Sequence, residues 1–127
     1  MLTSTKAFAN VKVKIDIGSQ RMHVYVNGAL QHVWKVSTGR GRYRTPTGSY
    51  RPKRLERTWY SSKYNGSPMP HSIFFRGGYA IHGTNYTRSL GRPASHGCVR
   101  LSRGNAAHLF GLVRRHGPRR TQILIRY

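Results

Sequence analysis

The stretch GRPASHGCVRLS, residues 91–102, holds the single cysteine of the chain, Cys98, among histidine, arginine, serine and glycine rather than among apolar residues. A cysteine in such company is a candidate nucleophile, because the thiolate attacks carbonyl carbon readily and a positive neighbour favours it over the thiol. Gly97, immediately before it, has no side chain and lets another molecule approach the backbone. With no second cysteine present, Cys98 cannot be lost to an intramolecular disulfide. The plainer alternative is a small buried hydrophobe.

If SHGCVRL is extended, the two-residue period of a strand sets His96, Cys98 and Arg100 on one face and Gly97, Val99 and Leu101 on the other. Imidazole, thiol and guanidinium then share a surface, and Arg100 favours the thiolate. A cysteine nucleophile needs a base, and the base needs an orienting group. His82 in GGYAIHG is the candidate base and His96 its competitor. Because Asp16 and Glu56 are the only carboxylate side chains, a backbone carbonyl is the expected orienting group. His23, His32, His71, His108 and His116 are scattered without metal-ligand spacing, so neither a metal nor another cofactor is expected.

The same shortage of carboxylates removes other chemistries. A glycosidase would need Asp16 and Glu56 to meet across one substrate, and a two-metal hydrolase would lack ligands. Against these two acids stand 23 Lys and Arg, a formal charge of +21. Such a surface attracts polyanions, whether nucleic acid, anionic lipid or cell-envelope polymer, and names none of them by itself.

The elements that must position these residues are mostly strands. VKVKIDI alternates, with Val11, Val13, Ile15 and Ile17 on one face, and RMHVYV points Met22, Val24 and Val26 inward. Asn27-Gly28 is a two-residue hairpin turn into ALQHVWKVS. TGRGRYRTPTG and YSSKYNGSPMPHS read as loops, while SYRPKRL, IFFRGGYAIHG, CVRL and TQILIRY read as strands. One helix is predicted: Ser102 caps it, Ala106, Leu109, Phe110 and Val113 form its apolar stripe, and Gly117-Pro118 stops it. The sum is one mainly β domain with a single packed helix near the C-terminus. No apolar run is long enough to span a membrane, and MLTSTKAFAN lacks the apolar core of an export signal.

Taken together, IHGTNYTRSLGRPASHGCVRL resembles the signature of the L,D-transpeptidase (YkuD-type) catalytic domain: a His, a spacer, then Ser/Thr-His-Gly-Cys, an apolar residue and Asn or Arg. Upstream, IDIGSQRMHVYVNGALQHVWKVSTGRGRYRTPTGSYRP is similar to that family's opening hairpin with its STG and TPTG elements, and PMPHSIFFRGGYAIHG to the segment leading to its base. The resemblance implies a mixed β-sandwich over residues 11–127 behind a tail of residues 1–10, with Cys98 as nucleophile, His82 as base and the Gly83 carbonyl orienting His82. It implies that Ser95, His96 and Arg100 support the site or hold substrate, and that the amides of Gly97 and Cys98 receive the oxyanion.

The reaction implied is attack on a peptidoglycan tetrapeptide stem between the L-centre of diaminopimelate and the terminal D-Ala. D-Ala leaves, and a stem amine, water or a lipoprotein lysine resolves the thioester. Periplasmic or wall-facing location, wall peptides and anionic envelope polymers as partners, and carbapenems as inhibitors are implied with it. A basic, Tyr-rich β module that binds single-stranded nucleic acid explains the charge but not SHGC. An idle or mainly hydrolytic relative keeps the fold and changes the chemistry.

Overall fold

A computed structural model describes residues 10–61 and 66–127; the expected N-terminal tail, apart from Asn10, lies outside the described residues. β1 (Val11–Asp16), β2 (Arg21–Val26) and β3 (Ala29–Lys35) form the antiparallel meander that the alternation predicts. Asn27 and Gly28 make the β2–β3 turn at φ 50° and 85°, the left-handed pair that a tight hairpin needs.

Two features of the topology depend on distant pairing. β9 (Thr121–Arg126) inserts parallel to β1, and β4 (Gly48–Tyr50) pairs with β9, giving a sheet ordered β3-β2-β1-β9-β4. The segment SYRPKRL, expected as one strand, is divided: β4 ends before the buried Pro52, and β5 (Arg54–Glu56) joins the other sheet. Proline has no N–H to give a ladder, so the chain crosses between layers there. The second sheet is ordered β5-β6-β7-β8, with β6 (Ser72–Arg76), β7 (Tyr79–Thr84) and β8 (Val99–Ser102).

The two sheets share one core. Val11, Val13 and Ile15 of the first sheet, Phe75, Ile81 and Leu101 of the second, and Leu109 and Val113 of the helix belong to one fully desolvated cluster. That helix, α1 (Arg103–His116), starts where the Ser102 hydroxyl accepts the Asn105 N–H at 3.2 Å, satisfying one free donor of the first turn. It ends at Gly117, φ 99°, whose N–H returns to the Val113 carbonyl. Arg114, Arg115 and His116 complement the negative end of its dipole. Because α1 packs on β7 and β8, it fixes from behind the two strands that carry the site.

Glycine substitutions separate fold from slack. At Gly111, in the exposed middle of α1, a Cβ meets nothing within 4 Å, so Gly111→Ala is expected to stabilise by about 0.5–1 kcal/mol. At Gly39 the same atom would lie 1.6 Å from the Tyr43 carbonyl oxygen, and Gly39→Ala is expected to cost about 1–3 kcal/mol or more. Thermal denaturation followed by circular dichroism reads both; equal shifts would contradict the close approach at Gly39.

Candidate active site

The catalytic candidates lie where β7 and β8 run side by side. In this parallel pair His82 is the register partner of Arg100, and Ile81 of Val99, so Cys98 stands just before the start of β8. The thiol segment is not extended as the alternation suggests. Residues 96–98 form a bend, with Gly97 at φ 123°, and the ladder begins only at Val99. His96 is exposed, Cys98 half-buried and Arg100 half-buried, and all three line one cleft, so the bend achieves what a strand was expected to do.

Since the bend has no ladder of its own, side chains hold it. The buried Ser95 hydroxyl accepts the Gly97 N–H at 3.0 Å and donates to the Cys98 carbonyl at 2.5 Å, tying the backbone of Gly97 and of Cys98 itself to one oxygen. The Gly97 amide is therefore engaged with Ser95 here, rather than presented to the cleft as the oxyanion expectation has it. Thr45, also buried, donates from Oγ1 to the Gly97 carbonyl at 2.8 Å and accepts the Gly39 N–H at 2.9 Å. Any Cβ at position 97 would sit 2.5 Å from the Tyr79 ring, so the ring and the left-handed φ together require glycine.

The segment Ser37–Arg40 straps the bend from outside. Ser37 and Arg100 exchange backbone hydrogen bonds at 3.1 and 2.8 Å, the Thr38 carbonyl accepts from Ala94 and Ser95, and Arg40 N–H donates to the Ser95 carbonyl. Thr38 is itself held by Gln20, whose Oε1 accepts the Thr38 N–H at 3.0 Å and whose Nε2 donates to Thr38 Oγ1 at 2.7 Å. Gln20 is buried in the left-handed region, φ 54°, a backbone cost that the paired contacts offset. Thr45 opens the TPTG element, but its contact with the Gly97 carbonyl, like the role of Gln20, leaves no periodic trace in the sequence.

His82 is buried, and its Nδ1 lies 2.8 Å from the Gly83 carbonyl oxygen. A carbonyl can only accept, so Nδ1 carries the proton and the neutral ring keeps Nε2 as its acceptor. Gly83 is fixed in turn: its N–H donates to the Pro70 carbonyl at 2.9 Å, and a Cβ there would come within 3.1 Å of Arg103 Cα and 3.2 Å of Ala106 Cβ. The backbone carbonyl expected to orient His82 is thus locked between a loop and the first turn of α1.

Burial decides the charge state of both groups. Desolvation lowers the His82 pKa to about 4, the Gly83 hydrogen bond opposing this and the Arg100 charge adding to it. Desolvation likewise raises the Cys98 thiol, against smaller lowering effects from the Ala80 backbone and Arg100. Arg100 favours the thiolate as expected, but its effect is smaller than that of burial, so the resting group is the thiol. Cys98 packs against the apolar cluster of Met69, Phe74 and Ala80, and that wall outweighs the guanidinium. At neutral pH the pair rests as thiol and neutral imidazole.

The cleft has a volume of about 500 Å³ and joins this apolar wall to His82, Cys98 and Arg100. Of the tyrosines, Tyr86 lines it and is 75% exposed, Tyr79 packs on Gly97, and Tyr43 meets the His96 ring edge-on at 4.6 Å. Tyr60 is exposed and outside the lining. Among the described residues no group of three or more His, Cys, Asp or Glu could hold a metal ion. No helix among them is long and apolar enough to cross a membrane.

The chain matches the L,D-transpeptidase catalytic domain, the YkuD family, over residues 10–125. YqjB of Bacillus subtilis, whose name carries the L,D-transpeptidase designation, is 29% identical over 126 residues, spanning 89% of this chain and 69% of its own length. An L,D-transpeptidase from Mycobacterium smegmatis superposes with a TM-score of 0.82 at 24% identity, over 94% of this chain and 59% of that one. A further L,D-transpeptidase, solved in complex with imipenem, gives 0.82 at 23% identity, over 92% of this chain and 59% of its own. The chain thus spans about three fifths of the length of these solved chains, which share its fold.

The charge states give two tests. Unfolded His82 takes up a proton near its ordinary pKa of 6.5 and the native residue only near 4, so native stability present above pH 6.5 falls as pH drops toward 4. The loss amounts to up to about 3 kcal/mol, from the two pKa values at about 1.4 kcal/mol per unit. Urea titrations across this window should show a steeper decline for the native chain than for His82→Gln; parallel curves would contradict a buried neutral His82. Alkylation of Cys98 by iodoacetamide should rise with pH later than that of a free cysteine, and a rate already at its plateau below pH 8 would contradict the raised thiol.

Proposed function

The chain belongs to the L,D-transpeptidase catalytic-domain family, and we propose that it transfers a peptidoglycan stem acyl group through a thioester on Cys98. The observation that carries this is the geometry of His82: with Nδ1 committed to the Gly83 carbonyl, Nε2 is left as the proton acceptor in the cleft that holds the thiol.

The donor is a tetrapeptide stem. His82 Nε2 takes the thiol proton as Cys98 Sγ attacks the carbonyl carbon between the L-centre of diaminopimelate and D-Ala. The Cys98 amide receives the developing oxyanion; Gly97 contributes by setting the bend and, if its amide turns from Ser95, as a second donor. The C–N bond then breaks, His82 returns the proton to the departing D-Ala amine, and a thioester remains. An amine of a second stem attacks this thioester, its proton passing to His82 and on to the sulfur, which leaves as the thiol. The products are free D-Ala and a 3→3 cross-link.

Starting from a neutral pair suits this sequence. Proton transfer then accompanies attack, and no thiolate persists between turnovers to be oxidised. Arg100 lies beside both groups and stabilises negative charge on sulfur and oxygen as it develops. His96, exposed at the mouth, contacts the substrate. Wall peptides as substrates put the enzyme at the cell wall, and a charge of +21 holds it near anionic wall polymers. Carbapenems acylate the same sulfur, as the imipenem complex of a fold neighbour suggests.

The test is incubation with disaccharide-tetrapeptide, products read by mass spectrometry. The native chain is expected to give a dimer lacking one D-Ala. Cys98→Ala should give none, and His82→Ala should be slower by about 10²–10⁴-fold. Tripeptide monomer alone would reassign the acceptor to water, and identical products from Cys98→Ala would overturn the proposal.

A further inference from the structure

Among the described residues three guanidiniums line the cleft, Arg54, Arg100 and Arg103, and no carboxylate side chain does. Arg100 is absorbed by the reaction; Arg54 and Arg103 are not. We propose that Arg54 and Arg103 make the cleft selective for donor stems whose acidic residues keep free carboxylates, against stems in which those carboxylates are amidated. This inference rests on the proposed function and names its substrate class.

Arg103 is held beside the base. Its Cα lies against Gly83, where a Cβ would come within 3.1 Å, so the first residue of α1 is fixed next to the carbonyl that orients His82. The side chain is exposed, and its Nη1 has a neutral oxygen, Asn85 Oδ1, at 3.5 Å, the outer limit of a hydrogen bond. A cation in the first turn of a helix opposes the helix dipole, and α1 has no acidic residue there to compensate. The position is thus electrostatically unfavourable in the free protein and relieved by an anion in the cleft.

Arg54 is held beside the thiol. Its guanidinium lies 4.1 Å from the Phe74 ring centre and 4.6 Å from that of Trp59, and both rings belong to the cluster on which Cys98 packs. Its ion pair with Glu56, at 3.4 Å, engages Nε, and 48% of the side chain stays exposed. Glu56 offsets one of the three guanidiniums on the lining, and the cleft keeps a net positive charge. A stem bound with its scissile carbonyl at Cys98 carries, besides the carboxylate of the terminal D-Ala, its carboxylates on diaminopimelate and the adjacent D-glutamyl residue within this cleft. Guanidinium–carboxylate pairs are stronger and more directional than guanidinium–amide contacts, and an amide turns an N–H₂ toward a donor that needs an acceptor.

The experiment compares four disaccharide-tetrapeptides: unmodified, amidated on diaminopimelate, amidated on D-glutamate, and amidated on both. D-Ala release gives kcat/KM for the native chain, Arg54→Gln, Arg103→Gln and Arg103→Lys, with circular dichroism confirming that each variant is folded. The native chain is expected to prefer the unmodified stem over the doubly amidated one by about tenfold or more, and the singly amidated stems show which carboxylate each arginine reads. Arg54→Gln and Arg103→Gln should narrow that ratio by slowing the unmodified stem while leaving the amidated one unchanged, and Arg103→Lys should restore part of it. Equal or reversed preference in the native chain, or a preference that survives both Gln variants, would overturn the subsite while D-Ala release still upheld the enzyme. If the native chain released D-Ala from no stem, the reaction itself would fail. Binding of the unmodified and doubly amidated stems to Cys98→Ala by calorimetry would then decide the subsite alone, equal affinities overturning it.

Discussion

A bend cannot hold itself, and Cys98 sits on one. Residues 96–98 belong to no strand, and Gly97 adopts a φ of 123° that leaves its neighbours without ladder partners. What fixes Cys98 is a set of hydrogen bonds from elsewhere: Ser37 and Thr38 bracketing the segment through Arg100 and Ser95, and Thr45 reaching the Gly97 carbonyl. Gln20 in turn holds Thr38, which links the β1–β2 turn to the thiol through buried, directed contacts. Each is a satisfied buried polar group, and breaking one strands its partner without water. The larger sheet and its hairpins act as the frame against which an otherwise free bend is registered.

The electrostatics follow from the same burial. A chain with a charge of +21 invites the inference that its cysteine rests as a thiolate, yet the local environment overrules the global charge. The apolar wall of Met69, Phe74 and Ala80 raises the thiol, and the buried ring of His82 resists a proton until about pH 4. Surface charge far from the site is screened by solvent within about 10 Å at ordinary salt, whereas desolvation acts at contact. Arg100 is the cation close enough to matter to both groups, and its effect is smaller than that of burial on each.

Much of this was legible before any coordinates. The alternation of Val11, Val13 and Ile15, the Asn27-Gly28 turn and the Ser102-capped stripe of α1 are local patterns, and local physics wrote them. That His82 and Cys98 share one cleft was legible in the residues around them, and the scarcity of carboxylates pointed to a backbone carbonyl as the partner of His82 Nδ1. The parallel insertion of β9 beside β1 was not, because the partners lie more than a hundred residues apart and nothing local records the choice. The contacts of Gln20 and Thr45 are not legible either, because side-chain hydrogen bonds between segments 18 and 52 residues apart leave no local pattern. The charge state of Cys98 was misjudged because burial is a property of the folded wall and not of the neighbouring sequence.

At the centre of the proposed reaction is a covalent stem on Cys98. The most direct measurement is the intact mass of the chain, acid-quenched within milliseconds of mixing with tetrapeptide donor in the absence of acceptor amine, followed by peptide mapping. A gain equal to the stem less D-Ala, located on the peptide containing Cys98, is the result expected. A chain that releases D-Ala without ever gaining mass, or that gains it on another residue, would contradict it.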